Sequence, residues 1–142
     1  MSLDLHALET SFDLVAPRRE ELMDEIYARL FAAVPAVRPL FAATDLRRQK
    51  AMLLGTLVLL RISLRDLDAI VPTLRKLGAR HVAYGARPEH YPVVGEAPIA
   101  AMATIAGPAW ESEHESAWHE AFAVVAGAML EGAEAEMLQV AA

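Results

Sequence analysis

Apolar residues recur along most of this chain at the three- and four-residue spacing of an amphipathic helix. In the stretch after Asp45, leucines occupy positions 46, 53, 57 and 60. In the stretch after Pro72, Leu74 and Leu77 follow the same spacing. Convincing two-residue alternation, which is typical of half-buried strands, is not found. The pattern therefore predicts an all-α fold.

Prolines, glycines and one acidic cap divide this pattern into segments. Pro17 stands early in a helix, where proline is favoured, and Asp45 can cap the long helix that follows it. Pro35 and Pro39 force a bend between these two helices. The expected helices span residues 3–15, 17–33, 46–62, 72–85, 92–105 and 112–139, with a short turn at 64–68. We expect a single domain over residues 1–142, and the two short central helices argue against a simple up-down bundle.

The amino-acid composition argues against a membrane-spanning protein and against a nucleic-acid partner. Hydrophobic residues make up 55% of the chain, yet the longest apolar run, residues 51–60, falls short of the roughly 18 residues of a membrane span. The excess apolar surface must line a deep core, a pocket or a subunit interface. A net charge of −6 argues against a nucleic-acid partner, because phosphates would be repelled.

The lack of cysteine excludes several kinds of site. Without thiols the chain cannot form disulfides, thiolate zinc sites or iron–sulfur clusters. The N-terminal residues carry acidic side chains and lack the basic-then-apolar pattern of a secretion signal. We therefore expect a cytoplasmic protein with no membrane partner.

Two polar side chains interrupt apolar helical stripes. His81 shares a helix face with Leu77 and Tyr84, and Gln49 is the single polar member of the stripe on the third helix. A buried polar group costs free energy unless it has a partner. His81 is either a core histidine bonded to a backbone carbonyl or a metal ligand. Gln49 caps a turn or reaches solvent, or else it makes a hydrogen bond inside a pocket.

Two aromatic residues precede this pair. Tyr27 lies on the apolar stripe of the second helix, where a tyrosine is commonly a core residue whose hydroxyl finds a partner. Phe41 follows the double-proline bend, an unusual place for an exposed aromatic side chain. With Gln49 next and His81 on a facing helix, the four residues suggest one site that holds something polarisable or metallic.

At these residues the sequence resembles the bacterial single-domain globins and the globin domain of flavohaemoglobins. Residues 35–41, PAVRPLF, are similar to the family's bend motif, which ends in a haem-stacking Phe. Gln49 and Leu53 are similar to its distal pair, and residues 80–97, RHVAYGARPEHYPVVGEA, to its proximal segment. Residues 117–127, AWHEAFAVVAG, are similar to the start of its last helix. The resemblance covers nearly the whole chain and implies a globin fold of six to eight helices enclosing one haem.

The resemblance also implies a role for each candidate residue. In the family a Tyr follows the iron ligand by ten residues, as Tyr91 follows His81, so His81 is the expected ligand of haem b (iron protoporphyrin IX). His90 is then a surface or haem-edge residue. Tyr27 and Gln49 are the expected distal donors to O2, NO or CO, and they would also serve any catalysis. The remaining haem contacts are expected from Phe41, Leu53, Leu77, Arg80, Tyr84 and Tyr91.

The sequence leaves open which residues bind the haem propionates and which residue of the last helix lies near the proximal His. Arg80 and Arg87 either bind the haem propionates or are plain surface charges. Flavohaemoglobins have a carboxylate on the last helix that, with the Tyr, polarises the proximal His. Local similarity of residues 134–138 places Glu136 there, with Glu134 beside it, whereas an ungapped alignment from Trp118 places Ala135 there.

The resemblance allows three functions. The first is a haem globin that binds O2 reversibly and oxidises nitric oxide to nitrate. The second is an O2 carrier or gas sensor without turnover, and the third is a haemless globin-fold interaction module. These 142 residues hold no flavin or nicotinamide domain, so turnover is expected to need a separate reductase. We expect a monomer or a homodimer, the latter through the last helices, where residues 128–133, AMLEGA, look exposed.

Overall fold

The computed structural model describes residues 3–141, and across that range the chain forms six α-helices and no strand. The all-α prediction is confirmed. Short 3-10 turns stand between several of the helices, at Ala16–Arg18, Pro35–Phe41, Leu67–Ile70 and Gly107–Ala109. The helices are α1 (Leu5–Val15), α2 (Arg19–Ala33), α3 (Leu46–Ile62), α4 (Val71–Ala83), α5 (His90–Ala106) and α6 (Ser112–Ala141).

The boundaries follow local chemistry. The Asp45 carboxylate accepts a hydrogen bond from the backbone N–H of Arg47 at 3.1 Å, so α3 begins as predicted. The first helix begins at Leu5 rather than at residue 3, because Asp4 caps it in the same way. The fifth helix begins at His90, earlier than the predicted residue 92, because a proline in the first turn removes an N–H that has no helical partner anyway.

The core is formed mainly by α1, α2, α5 and α6. At its centre the Trp118 side chain is fully buried and its indole N–H donates to the Ser11 hydroxyl at 2.8 Å. Ser11 in turn donates to the backbone carbonyl of Ala7, so both polar groups are paired. The ring of Phe122 lies 5.6 Å from that of Trp118, centroid to centroid. No helix within residues 3–141 is both long enough and apolar enough to cross a membrane.

Helices α3 and α4 pack on different partners. Across residues 3–141, α3 lies mainly against α2 and α1, whereas α4 lies mainly against α6, and α3 and α4 make little direct contact with each other. The expectation that residues 128–133 are exposed is wrong in part. Ala128 and Ala133 are buried, because α6 turns this face toward α4. Gln49 on α3 and His81 on α4 thus lie on two helices that make little direct contact with each other.

The capping of α3 by Asp45 should contribute measurably to the free energy of unfolding. Replacement of Asp45 by Ala removes the acceptor for the first N–H groups of the helix, and we expect the free energy of unfolding to fall by about 1 kcal/mol. Urea titration followed by circular dichroism measures this change. Asp66→Ala is the matched control, since the structure of residues 3–141 gives the Asp66 carboxylate no cap hydrogen bond. Equal losses in the two variants would show that the cap is not the cause.

Candidate functional site

His81 lies in the last turn of α4 with its ring orientation fixed from within the helix. Its Nδ1 is 2.7 Å from the backbone carbonyl oxygen of Leu77. Because a carbonyl only accepts, Nδ1 carries the proton and Nε2 keeps a lone pair. Burial lowers the pKa of His81 by more than the bond to Leu77 raises it, and the charge of Arg80 lowers it as well, so the imidazole is neutral near pH 7. A neutral imidazole whose second nitrogen is held by a carbonyl is the form that binds metals.

Tyr27 and Gln49 come together from two helices. Tyr27 is 5% exposed on α2, and Gln49 lies half-buried in the first turn of α3. Burial raises the pKa of the Tyr27 phenol, and the neighbouring Gln49 side chain lowers it to a smaller extent. The phenol is therefore protonated at neutral pH and able to donate. Leu53, also half-buried, follows Gln49 by about one turn on α3.

An aromatic cluster surrounds the Tyr27 ring. Phe41 meets it edge to face, with ring centroids 6.0 Å apart and planes at 84°. Phe31 completes the cluster at 5.5 Å from Phe41, and the guanidinium carbon of Arg38 lies 4.7 Å above the Phe31 ring. A cavity of about 570 Å³ opens beside these rings, lined in part by Pro35, Arg38 and Phe41. Sequence reasoning missed Phe31, although its position four residues after Tyr27 places the two on one helix face.

Tyr84 does not lie on the buried face of α4, where the sequence pattern placed it. The sequence pattern placed it inward with Leu77 and His81, yet its side chain is 56% exposed. The reason is that α4 ends at Ala83 and the chain turns at Gly85, whose φ is +89°. The Tyr84 ring nevertheless lies 5.4 Å from the His81 ring, centroid to centroid. A haem contact by Tyr84 stays a prediction.

Tyr91 lies near the start of α5 with a buried hydroxyl. Burial raises the pKa of Tyr91, and its hydroxyl has no hydrogen-bond partner among the described residues. His90 is used differently, because its Nδ1 accepts from the backbone N–H of Arg87 at 3.1 Å and so stabilises the turn before α5. Arg80 and Arg87 are exposed and make no ion pair within residues 3–139, which leaves both available to an anionic group.

The packing of α4 on α6 decides where the acidic residues of the last helix lie. The two helices run antiparallel, with Gly78 against the backbone of Met129 and Gly132 against that of Arg75. This register places residue 136 opposite residue 71, about ten residues and roughly 15 Å along α4 from His81. Neither Glu134 nor Glu136 is therefore brought to His81, and the sequence alone could not show this because the two helices are distant in the chain.

Comparison with known proteins identifies the family and the fold. The family model described as Globin matches residues 24–129. The flavohemoprotein of Bacillus subtilis is 25% identical over 137 residues, which are 95% of this chain and 34% of that protein. The flavohemoprotein of Rhodopirellula baltica is 31% identical over 115 residues, 80% of this chain and 28% of that protein. The chain thus spans about a third of the length of these relatives.

Solved structures share the fold. An engineered carbene transferase from Rhodothermus marinus superimposes with a TM-score of 0.88 at 21% identity, over 100% of both chains. A bacterial globin from Campylobacter jejuni superimposes with a TM-score of 0.78 at 20% identity, over 92% of this chain and 94% of that one. Family and relatives together imply haem binding, and Nε2 of His81, which has no hydrogen-bond partner among the described residues, fits that group. By the match over residues 24–129, the chain belongs to the globin family.

Proposed function

We propose that this globin binds haem b through Nε2 of His81 and holds O2 or NO with Tyr27 and Gln49. The observation that carries the proposal is the state of His81, a neutral imidazole with Nδ1 fixed by Leu77 and Nε2 free. Bound haem would supply an iron atom that His81 would hold and that would bind a diatomic gas beside Tyr27 and Gln49. Phe41 is the residue proposed to stack on the macrocycle, and Arg80 and Arg87 are proposed to bind its propionates.

The distal residues supply hydrogen-bond donors in an apolar setting. The Tyr27 phenol keeps its proton because burial raises its pKa, and the Gln49 amide adds a second donor beside it. A hydrogen bond to a ligand that gains partial negative charge counts for more where water is excluded. Leu53 is proposed to make the approach apolar, so that water enters less favourably than apolar diatomic molecules.

We further propose that the protein oxidises nitric oxide. One NO and one O2, with one electron, give one nitrate ion, so each turnover consumes one electron. The electron comes from a flavin reductase outside these 142 residues. Support comes from the relatives named flavohemoprotein, which are about three times as long as this chain.

A second candidate function, gas carriage or sensing without turnover, is favoured by the proximal side. The imidazole of His81 is held by the backbone carbonyl of Leu77, and the α4–α6 register brings neither Glu134 nor Glu136 to it. The Tyr91 hydroxyl has no partner in the part of the chain that the structure describes. A proximal imidazole without a carboxylate partner receives less electron density, which suits reversible gas binding better than redox turnover.

Measurement of nitrate distinguishes nitric oxide oxidation from gas carriage or sensing. The reduced, haem-loaded protein is equilibrated with O2, mixed with one equivalent of NO, and then supplied with further NO and O2 together with a flavin reductase and NADH. Catalysis predicts one nitrate per NO in the first mixing and continued nitrate formation while NADH is consumed. Stoichiometric nitrate in the first mixing without further turnover, for any reductase supplied, contradicts catalysis and leaves carriage or sensing.

The distal assignment predicts a change in gas release. Tyr27→Phe keeps the ring contact with Phe41 and removes only the hydroxyl, so we expect O2 to dissociate about 2- to 10-fold faster. Stopped-flow displacement of O2 by CO measures the rate. Thr10→Val also removes a hydroxyl, one on α1 that donates only within its own helix to the His6 carbonyl, and it should leave the rate unaltered. An unaltered rate in Tyr27→Phe would remove Tyr27 as a donor and leave Gln49, tested by Gln49→Leu.

A further inference from the structure

The contact between α4 and α6 is closer than side chains allow. A Cβ atom built on Gly78 would lie 1.8 Å from the backbone carbonyl oxygen of Met129. A Cβ atom built on Gly132 would lie 1.9 Å from the backbone carbonyl oxygen of Arg75. In both cases the obstacle is backbone, so no rotamer change relieves the overlap. Any residue other than glycine at either position forces the two helices apart.

The two glycines act as a reciprocal pair. Each helix presents one glycine to a carbonyl of the other, which fixes both the separation and the register of the antiparallel helices. The Arg75 guanidinium also binds the Glu131 carboxylate at the same crossing, at 2.9 Å. The crossing is therefore determined at two points along α4 rather than at a single pivot.

His81 is carried rigidly on this crossing. It follows Gly78 by three residues, about one helical turn, and its ring is fixed to α4 by the bond from Nδ1 to the Leu77 carbonyl. Because α4 packs mainly on α6, a displacement of α4 at Gly78 moves the imidazole with it. Packed helices respond to added volume by shifting as units, since the interior has little free space.

We propose that Gly78 and Gly132 are positioning residues that set the place of the His81 imidazole through the α4–α6 crossing. The proposal rests on the proposed function, in which Nε2 of His81 is the iron ligand. Neither glycine touches the ligand-binding space by this proposal. They act by setting the position and tilt of α4 relative to α6, and therefore the strain on the bond between Nε2 of His81 and the haem iron.

The test uses the haem-loaded, reduced protein without gas. Gly78→Ala and Gly132→Ala should each shift the iron–histidine stretching band in resonance Raman spectra and speed haem transfer to an acceptor apoglobin severalfold. Gly127→Ala is the matched control on α6, because a Cβ atom there meets nothing within 4 Å. It should leave both the band and the transfer rate as in the wild-type protein.

A second experiment, made in a His81→Gly variant, distinguishes an effect on the position of His81 from a general disturbance of the fold. In His81→Gly protein with added imidazole, the iron ligand is no longer tied to α4. Gly78→Ala in this background should leave the iron–imidazole band where it is. A shift of that band would show that the effect does not pass through His81 and would overturn the proposal.

Each remaining outcome is decisive. Unshifted bands in both glycine variants, with haem bound and wild-type helical content by circular dichroism, overturn the positioning role but leave the proposed function intact. If Gly78→Ala does not fold, Gly132→Ala, whose contact is six residues from His81 along α4, provides the same measurement. Failure of both to fold would show that the contact serves the fold itself and would also overturn the role. Failure of the proposed function is seen separately, as a wild-type protein that binds no haem.

Discussion

The His81→Ala protein is expected to fold and to lose the intense Soret absorption of the haem-loaded wild-type protein. The substitution removes Nε2, the nitrogen left unprotonated by the bond from Nδ1 to Leu77. Loss of a residue that merely orients a metal ligand weakens metal binding by about 10- to 100-fold, so loss of the ligand should exceed roughly 100-fold. The fold should survive, since α4 is held to α6 by Gly78 and Gly132 rather than by His81. Titration of the apoprotein with haem, followed at the Soret band, measures the affinity.

His90→Ala is the control for this experiment. His90 lies in the same proximal segment, but its Nδ1 accepts from the backbone N–H of Arg87, so we expect a small loss of stability and unchanged haem binding. A Soret band lost in His90→Ala and kept in His81→Ala would reverse the ligand assignment. A wild-type protein that takes up no haem would favour the interaction module instead.

Much of the fold is predictable from the sequence because its helices are marked locally. Three- and four-residue spacing of apolar side chains gives the helices, and capping and breaking residues give their approximate ends. Asp45 caps α3 as predicted. The start of α5 lies two residues before the predicted residue 92, because Pro92 takes the third position of the helix, where a missing N–H has no helical partner. Pro98, inside the same helix, shows that tertiary packing tolerates a lost N–H.

The candidate site could be predicted less completely. Periodicity and the resemblance to globins single out His81, Tyr27 and Gln49 as candidates, and the structure places the last two side by side. The exposure of Tyr84 could not be predicted, because it depends on where α4 ends rather than on spacing. The place of Glu136 depends on a helix register that is set by contacts between residues more than 50 positions apart in the chain, which no local pattern encodes.

The second large effect is expected in the core. Trp118→Ala should lower the free energy of unfolding by about 3–5 kcal/mol, because it empties a fully buried site and deletes an aromatic side chain packed against Phe122. Typical domains have a total stability of about 5–15 kcal/mol, so the variant should be close to unfolding at 37 °C. Chemical denaturation of the apoprotein at 25 °C, followed by circular dichroism, measures the loss without contributions from bound haem.

The two tryptophans provide the control that separates packing from hydrogen bonding in this effect. Trp118→Phe removes an indole N–H that donates to Ser11, whereas Trp110→Phe removes a buried indole N–H that has no partner among the described residues. We expect Trp118→Phe to cost more than Trp110→Phe, and Ser11→Ala to cost about 1–3 kcal/mol, because it leaves the Trp118 N–H buried and unpaired. With Trp118→Phe already made, Ser11→Ala should cost much less, since the stranded donor is gone. Equal costs of Ser11→Ala in both backgrounds would mean that the Ser11–Trp118 bond contributes nothing and that Trp118 stabilises the core by packing alone.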